Sequence, residues 1–270
     1  MHGASIEAAR PPHRRGPVRR GRAPGRCRGD ERFPIIEVPG RAGRGTIAAM
    51  ASSRWPLADL RLQTPDLELR WPSMDDLYAL ADLAADGVHD PEVQPFMVAW
   101  TDASPDERAR GTLQYHWSQW GSWKPSDWTL ELAVVRDGAV VGSQGVGGHD
   151  FAVLREVHTG SWLGRRYQGQ GIGTRMRAAV LHLAFEGLGA RWAMSAAFED
   201  NPASLGVSRK LGYQDDGIEW HVVRGRPALA RRLRLDRAAW QSARTIPVQI
   251  HGLPPCLPLF GAPAGTDHAP

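Results

Sequence analysis

A run of alternating glycines, Gln168-Gly169-Gln170-Gly171-Ile172-Gly173-Thr174, narrows the possible folds of this 270-residue chain more than any other feature. Upstream of it, Val157 to Leu163 reads as a strand. Downstream, Ile172, Met176, Val180 and Leu183 recur at helical spacing, and Gly187 and Gly189 are suitable breakers at the helix end. Glycines in alternation let the backbone approach a ligand closely and point several N–H groups into one concavity. The helix that follows aims its orphan donors and the positive end of its dipole at the same spot. This is the local chemistry of a site for a pyrophosphate or similar anion. A Gly-rich connector without a ligand carries the same signature, so the loop alone leaves both readings open.

Spacing separates this loop from two other phosphate cradles. A dinucleotide fingerprint starting at Gly169 needs a glycine at 174, where the chain has Thr, and no Gly-Lys-Ser/Thr follows. What fits is Gln-x-x-Gly-x-Gly, from Gln168 through Gly171 to Gly173.

The flanking sequence supplies the rest of an α/β pattern. Leu67 to Trp71 alternates as a half-buried strand, and Ser73 caps a helix over 74–85 with Asp75 and Asp76 in its first turn. A second helix runs from Pro105 through Trp120. Thr129–Arg136 and Ala139–Val146 form a hairpin turned by Asp137-Gly138. Beyond the glycine loop, Arg191–Ala197 reads as a strand and Pro202–Leu211 as a short helix. Ile218–Arg224 and Leu229–Leu235 read as two more strands. The order predicts helices flanking a mixed, mostly antiparallel sheet. The domain carrying it is expected to span residues 55–244, with 245–270 as a Pro-rich tail that holds one strand-like run at 247–250.

Composition excludes several classes. No apolar run approaches the ~20 residues of a membrane span. Two cysteines, Cys27 and Cys256, are too few and too far apart for a disulfide framework or a four-thiolate zinc site, which predicts a reduced, cytoplasmic, metal-free protein. The net charge is +4, yet residues 1–49 alone hold eleven arginines against four acids, so the remainder is mildly acidic. A basic nucleic-acid-binding body is therefore not expected. Residues 1–49 also contain eight glycines and six prolines without apolar periodicity, the composition of a disordered arm. Such an arm would touch nucleic acid or anionic membrane, or else ordered sequence starts near Met50 and the preceding codons are a mis-assigned start.

The Gln168–Gly173 motif and its surroundings resemble the GNAT superfamily of acyl-CoA-dependent N-acyltransferases, over roughly residues 60–240. Gly160-Ser161-Trp162-Leu163 is similar to the Gly-Tyr-Trp-Leu strand of the RimJ/RimL-type branch. Asn201-Pro202-Ala203-Ser204 and Lys210-Leu211-Gly212-Tyr213 are similar to that branch's Asn-x-x-Ser and Lys-Leu-Gly-Phe elements. Gly87-Val88-His89-Asp90-Pro91 and Pro258-Leu259-Phe260-Gly261 further resemble a succinyl-CoA-dependent member. The resemblance implies that Gln168, Gly169, Gln170, Gly171, Ile172, Gly173 and Thr174 hold the CoA pyrophosphate. It also implies that Asn201 and Ser204 bond the pantetheine arm, and that Leu163 offers main-chain groups to it where two strands splay.

What such a reaction needs is a neutral amine, a polarised thioester carbonyl and a proton for the departing thiolate. A main-chain N–H near Leu163 could stabilise the oxyanion. His158, two residues before Gly160, is the first candidate base, since an imidazole near pKa 6.5 accepts a proton directly or through water. Asp150, Glu131 and His89 are alternatives. Many family members place a Tyr acid seven residues after the helix Asn; here that position is Ser208, a far weaker acid, which opens the alternative of a non-catalytic acyl-CoA sensor. The donor is expected to be succinyl-CoA or acetyl-CoA. The acceptor is a primary amine on a protein N-terminus, a lysine or a small molecule. Residues 87–100 are placed as an acceptor loop. Trp117, Trp120 and Trp123, among eleven tryptophans, are read as core or subunit contact in a homo-oligomer.

Overall fold

The Val-rich hairpin sets the centre of the molecule. The computed structural model describes residues 54–262, and the disorder expected for 1–49 lies outside those residues. Strands β1 (Arg61–Gln63), β2 (Glu68–Arg70), β3 (Asp127–Arg136) and β4 (Ala139–His149) are joined antiparallel, β3 and β4 pairing from Asp127↔His149 to Arg136↔Ala139 with a one-residue bulge opposite Val134 and Val135. Asp137 and Gly138 turn that hairpin with φ of 51° and 78°, the two left-handed positions a tight right-twisted hairpin requires.

Beyond β4 come β5 (Glu156–Leu163), helix α3 (Ile172–His182) and β6 (Trp192–Phe198), with β6 parallel to β5. β7 (Gln214–Val223) and β8 (Arg226–Asp236) extend the sheet antiparallel, and β9 (Gln249–His251) closes the opposite edge beside β1. The order is β7-β8-β6-β5-β4-β3-β2-β1-β9, mixed and mostly antiparallel as expected.

Helices cover both faces. On one, α1 (Met74–Asp86) and α2 (Pro105–Ser122) bring Leu77, Leu80, Leu113 and Trp120 onto Ala133 and Trp162. On the other, Ile172, Met176, Ala179 and Val180 of α3 pack against Leu130, Leu132 and Val134, the alternate residues of β3. Ser73 starts α1 through a reciprocal capping box with Asp76, whose carboxylate also takes two bonds from Arg70. Two short helices, α4 (Pro202–Lys210) and α5 (Arg237–Ala243), also flank the sheet, and a single helical turn over Phe151–Leu154 joins β4 to β5.

Of Trp117, Trp120 and Trp123, two pack against the core. Trp120 stacks on Trp71 at 5.0 Å and Trp123 on Trp128 at 5.9 Å, whereas Trp117 is exposed. The C-terminal stretch joins the same core: Phe260 is fully buried with its ring 4.8 Å from that of Trp128. The indole N–H groups of Trp123 and Trp128 donate to the carbonyls of Leu259 and Phe260. β1 and α5 have no counterpart in the sequence reading, and residues up to 262 are built into the domain rather than trailing from it.

Candidate active site

The parallel β5/β6 pair creates the opening. The two strands pair only at Glu156↔Trp192, Val157↔Ala193 and His158↔Met194. β5 then follows β4 as far as Leu163↔Gly142, while β6 follows β8 as far as Phe198↔Ala230, so the sheet divides into a V. Gly164 N–H donates to Val141 O on the β4 side. Alternation along the strand therefore turns the main-chain groups of Leu163 toward the opening.

At the mouth of the V lies the glycine loop. Gly169 and Gly171 have φ of 73° and 74°, and Gly171 is the residue from which α3 starts. The N–H groups of Gly169 through Gly173 find no acceptor among the described residues, whereas those of Thr174 and Arg175 return to Gly171 O. These orphan amides, together with the α3 dipole, fit an anionic group. Ile172 is itself buried in the core, so it offers the mouth only its N–H.

The two glutamines act differently from expectation. Gln168 Nε2 donates to Val88 O at 2.6 Å and Leu163 O at 3.0 Å, and its N–H donates to Arg165 O. It fastens the 87–100 loop to the end of β5 rather than presenting a donor to phosphate. Gln170 accepts from Arg136 and donates to Arg166 O, leaving only its main chain for the loop.

From this mouth a cleft of about 770 Å³ runs inward, within the usual range for small-molecule sites. Thr174, Asn201, Ser204 and Lys210 line the α3/α4 side, Val88, His89 and Phe96 roof it, and Thr159, Gly160 and Ser195 lie deeper. Asn201 Oδ1 accepts from Ser204 N–H at 3.0 Å and so caps α4. Ser208 is placed elsewhere. It is fully buried, its hydroxyl donates to Ser204 O and accepts from Arg177 Nη1, and it is absent from the cleft wall. A proton-donating role for Ser208 does not fit this position.

Of the candidate bases, Glu131 lies outside the cleft lining but on the same sheet face as Gly160 at its edge. The rungs Glu131↔Gly145 and Gly145↔Gly160 run straight across β3, β4 and β5 on the α1/α2 face, roughly 10 Å from the carboxylate-bearing strand to the edge of the V. The carboxylate lies over Gly145, where an added Cβ would come within 2.4 Å of Oε1, and Gly160 has open space above it. Tyr115 donates to Oε1 at 2.9 Å and Ser143 to Oε2 at 3.1 Å. Burial pushes the carboxyl up to about 7, even though both hydrogen bonds pull it down.

His158 sits at the closed end of the V, its ring over Gly147, and burial draws it below the ordinary histidine value against the pull of Asp127. His89 spends both ring nitrogens: Nδ1 lies 2.7 Å from Asp90 O, and Nε2 2.7 Å from Thr101 Oγ1. Asp150 is exposed beside His149 at the hairpin end and does not line the cleft. Among the described residues there is no group of three or more His, Cys, Asp or Glu that could hold a metal ion, and no helix long and apolar enough to cross a membrane.

Residues 66–214 match the family model described as the Acetyltransferase (GNAT) domain. The chain belongs to the GNAT acetyltransferase family. Solved structures share the fold at low identity. Mycobacterium smegmatis RimJ in complex with CoA-disulfide is 19% identical over 68% of this chain and 90% of its own, with a TM-score of 0.56. A RimL ribosomal L7/L12 alpha-N-protein acetyltransferase in complex with coenzyme A is 19% identical over 65% and 97%, at 0.51. A GCN5-related N-acetyltransferase from Brucella melitensis is 18% identical over 68% and 81%, at 0.54. The glycine loop read from the sequence stands between β5 and α3, whereas the buried Arg177 on the cleft wall was not among the residues singled out. Its signal was an arginine within the apolar run Met176 to Leu181.

Proposed function

We propose that this GNAT protein transfers an acetyl or succinyl group from CoA to a primary amine by direct attack, with Glu131 as the general base. The observation that carries this is the continuity of one channel. Unsatisfied amides stand at its mouth, unpaired strand edges form its walls, and a carboxyl pushed up to about 7 stands on the α1/α2 face, on the second strand from its edge.

In this reading the orphan amides of residues 169–173 hold the CoA pyrophosphate, and Asn201, Ser204 and the Leu163 N–H position the extended arm. The amine enters over Gly160, beneath the loop bearing His89, Phe96 and Trp100. Glu131 takes the amine proton as the nitrogen bonds to the thioester carbon. His158, on the same face two residues from Gly160, is placed to pass that proton to solvent. The loop is tied down for this task by Gln168 to Val88 and by an Asp102–Arg224 ion pair across to the β7–β8 turn.

The family supports acetyl-CoA, and the segments similar to a succinyl-CoA-dependent member support succinyl-CoA. Isothermal titration with both thioesters, followed by thiol release over a panel of peptide and small-molecule amines, tests the proposal. Tight binding of one thioester with turnover is expected, and binding of neither by folded protein overturns it. Binding without turnover favours the sensor reading, for which the burial of Ser208 behind the cleft wall is the supporting observation. We further propose a cytoplasmic homo-oligomer, supported by the exposed Ile218, Trp220 and Val222 on edge strand β7. Light scattering on the purified protein checks the oligomer.

A further inference from the structure

The cleft contains a charge that the chemistry above does not use. Arg177 reaches the cleft wall from α3 and is only 6% exposed. Its Nη1 donates to Ser208 Oγ at 2.9 Å, its Nε has no acceptor, and no carboxylate pairs with it among the described residues. A guanidinium removed from water without a counter-ion is costly, and the chain accepts that cost on the wall of a cleft open to solutes.

Position identifies the anion it faces. Arg177 is one helical turn beyond Gly173, and its head meets Ser208, with Tyr213 close enough to act on its charge. Tyr213 in turn adjoins Thr159, which on β5 is one residue past the last β5/β6 rung. The hydroxyls of Thr159 and Tyr213 are buried there without a geometric hydrogen-bond partner, like Arg177 Nε. The four residues from Leu163 to Thr159 cover about 13 Å of strand. The guanidinium therefore lies on the cleft wall inward of the glycine loop, on the side of Tyr213 and Thr159, toward which the arm of a bound donor carries its sulfur.

We infer that Arg177, held in place by Ser208, stabilises the negative charge that develops on the donor's sulfur as the thioester breaks. The inference rests on the acyl-transfer reading above. The amine nitrogen bonds to the carbonyl carbon and its proton goes to Glu131. The C–S bond then breaks, its electron pair goes to sulfur, and CoA leaves as a thiolate paired with Arg177, to be protonated by solvent. A guanidinium holds its proton too firmly to serve as the acid, so it acts through charge alone. Ser208 is a positioning residue, locked between Arg177 and Ser204 O.

The test is titration of the thiol of CoA bound to the full-length protein, read by thiolate ultraviolet absorbance. The bound thiol is expected to ionise at least one pH unit below free CoA. Arg177→Met should return it to the free value, Arg177→Lys should keep most of the shift, and Ser208→Ala should lose part of it. With acetyl-CoA, Arg177→Met should lower kcat by about 10²- to 10³-fold with little change in KM. Thermal melts of each variant check the fold, and the lysine variant preserves the charge where methionine disturbs packing. CoA that binds with an unshifted thiol overturns this inference and leaves the acyl-transfer reading standing, whereas failure of CoA to bind overturns both. A loss confined to KM for succinyl-CoA also overturns it, by assigning Arg177 to the donor's terminal carboxylate instead.

Discussion

At the scale of single residues, the position of Glu131 has two measurable consequences of opposite sign. A carboxylate set over Gly145 is poorly solvated, and its raised pKa makes it a better proton acceptor near neutrality. Glu131→Gln should lower kcat/KM by about 10²- to 10³-fold and abolish an acidic limb near pH 7 in the pH–rate profile. The same shift costs stability. The folded chain holds this proton to about pH 7 and the unfolded chain only to about 4.5, so the native state loses stability as pH rises through that window. Glu131→Gln should therefore melt higher than wild type at pH 8 and close to it at pH 4, by calorimetry at both values. Gly145→Ala, whose Cβ would meet Oε1 at 2.4 Å, should reduce turnover in a folded protein by displacing the carboxylate.

Among the elements, the α3 entrance depends on one backbone conformation. Gly171 has a φ of 74°, and a Cβ there would also lie 3.1 Å from Arg175 Nη1, so Gly171→Ala should cost about 1–2 kcal/mol and weaken CoA binding in titration. Ser73→Ala removes half of the α1 capping box and should cost about 1 kcal/mol by denaturant unfolding, with CoA affinity unchanged. Elements with strong periodicity or a marked turn were legible before any coordinates: the Asp137-Gly138 hairpin, α1 behind Ser73, α3 behind its glycines. β1 was not, because three residues cannot display alternation. α5 was overlooked although Asp236 caps it by accepting from Ala239 N–H. The site divided in the same way. Glycines announce a loop of open amides locally, but Gln168 reveals its bond to Val88, and Glu131 its place over Gly145, only once distant strands are paired.

Across the whole molecule, the two ends of the described chain meet. β9 pairs with β1, and Phe260 packs edge-on against the stacked pair Trp123 and Trp128. Phe260→Ala should cost about 3–5 kcal/mol by chemical unfolding, more than an exposed aromatic such as Trp220 would. Cys256, buried with its thiol pushed up to about 11, should react with a thiol reagent only after denaturation. The β9–β1 seam also orders events during synthesis. The first strand of the sheet waits for the last one in sequence, so a nascent polypeptide that has already assembled its glycine loop still has an open hydrophobic flank. Ribosomes stalled before codon 249 should display a half-sealed intermediate, and that is the species a chaperone would meet.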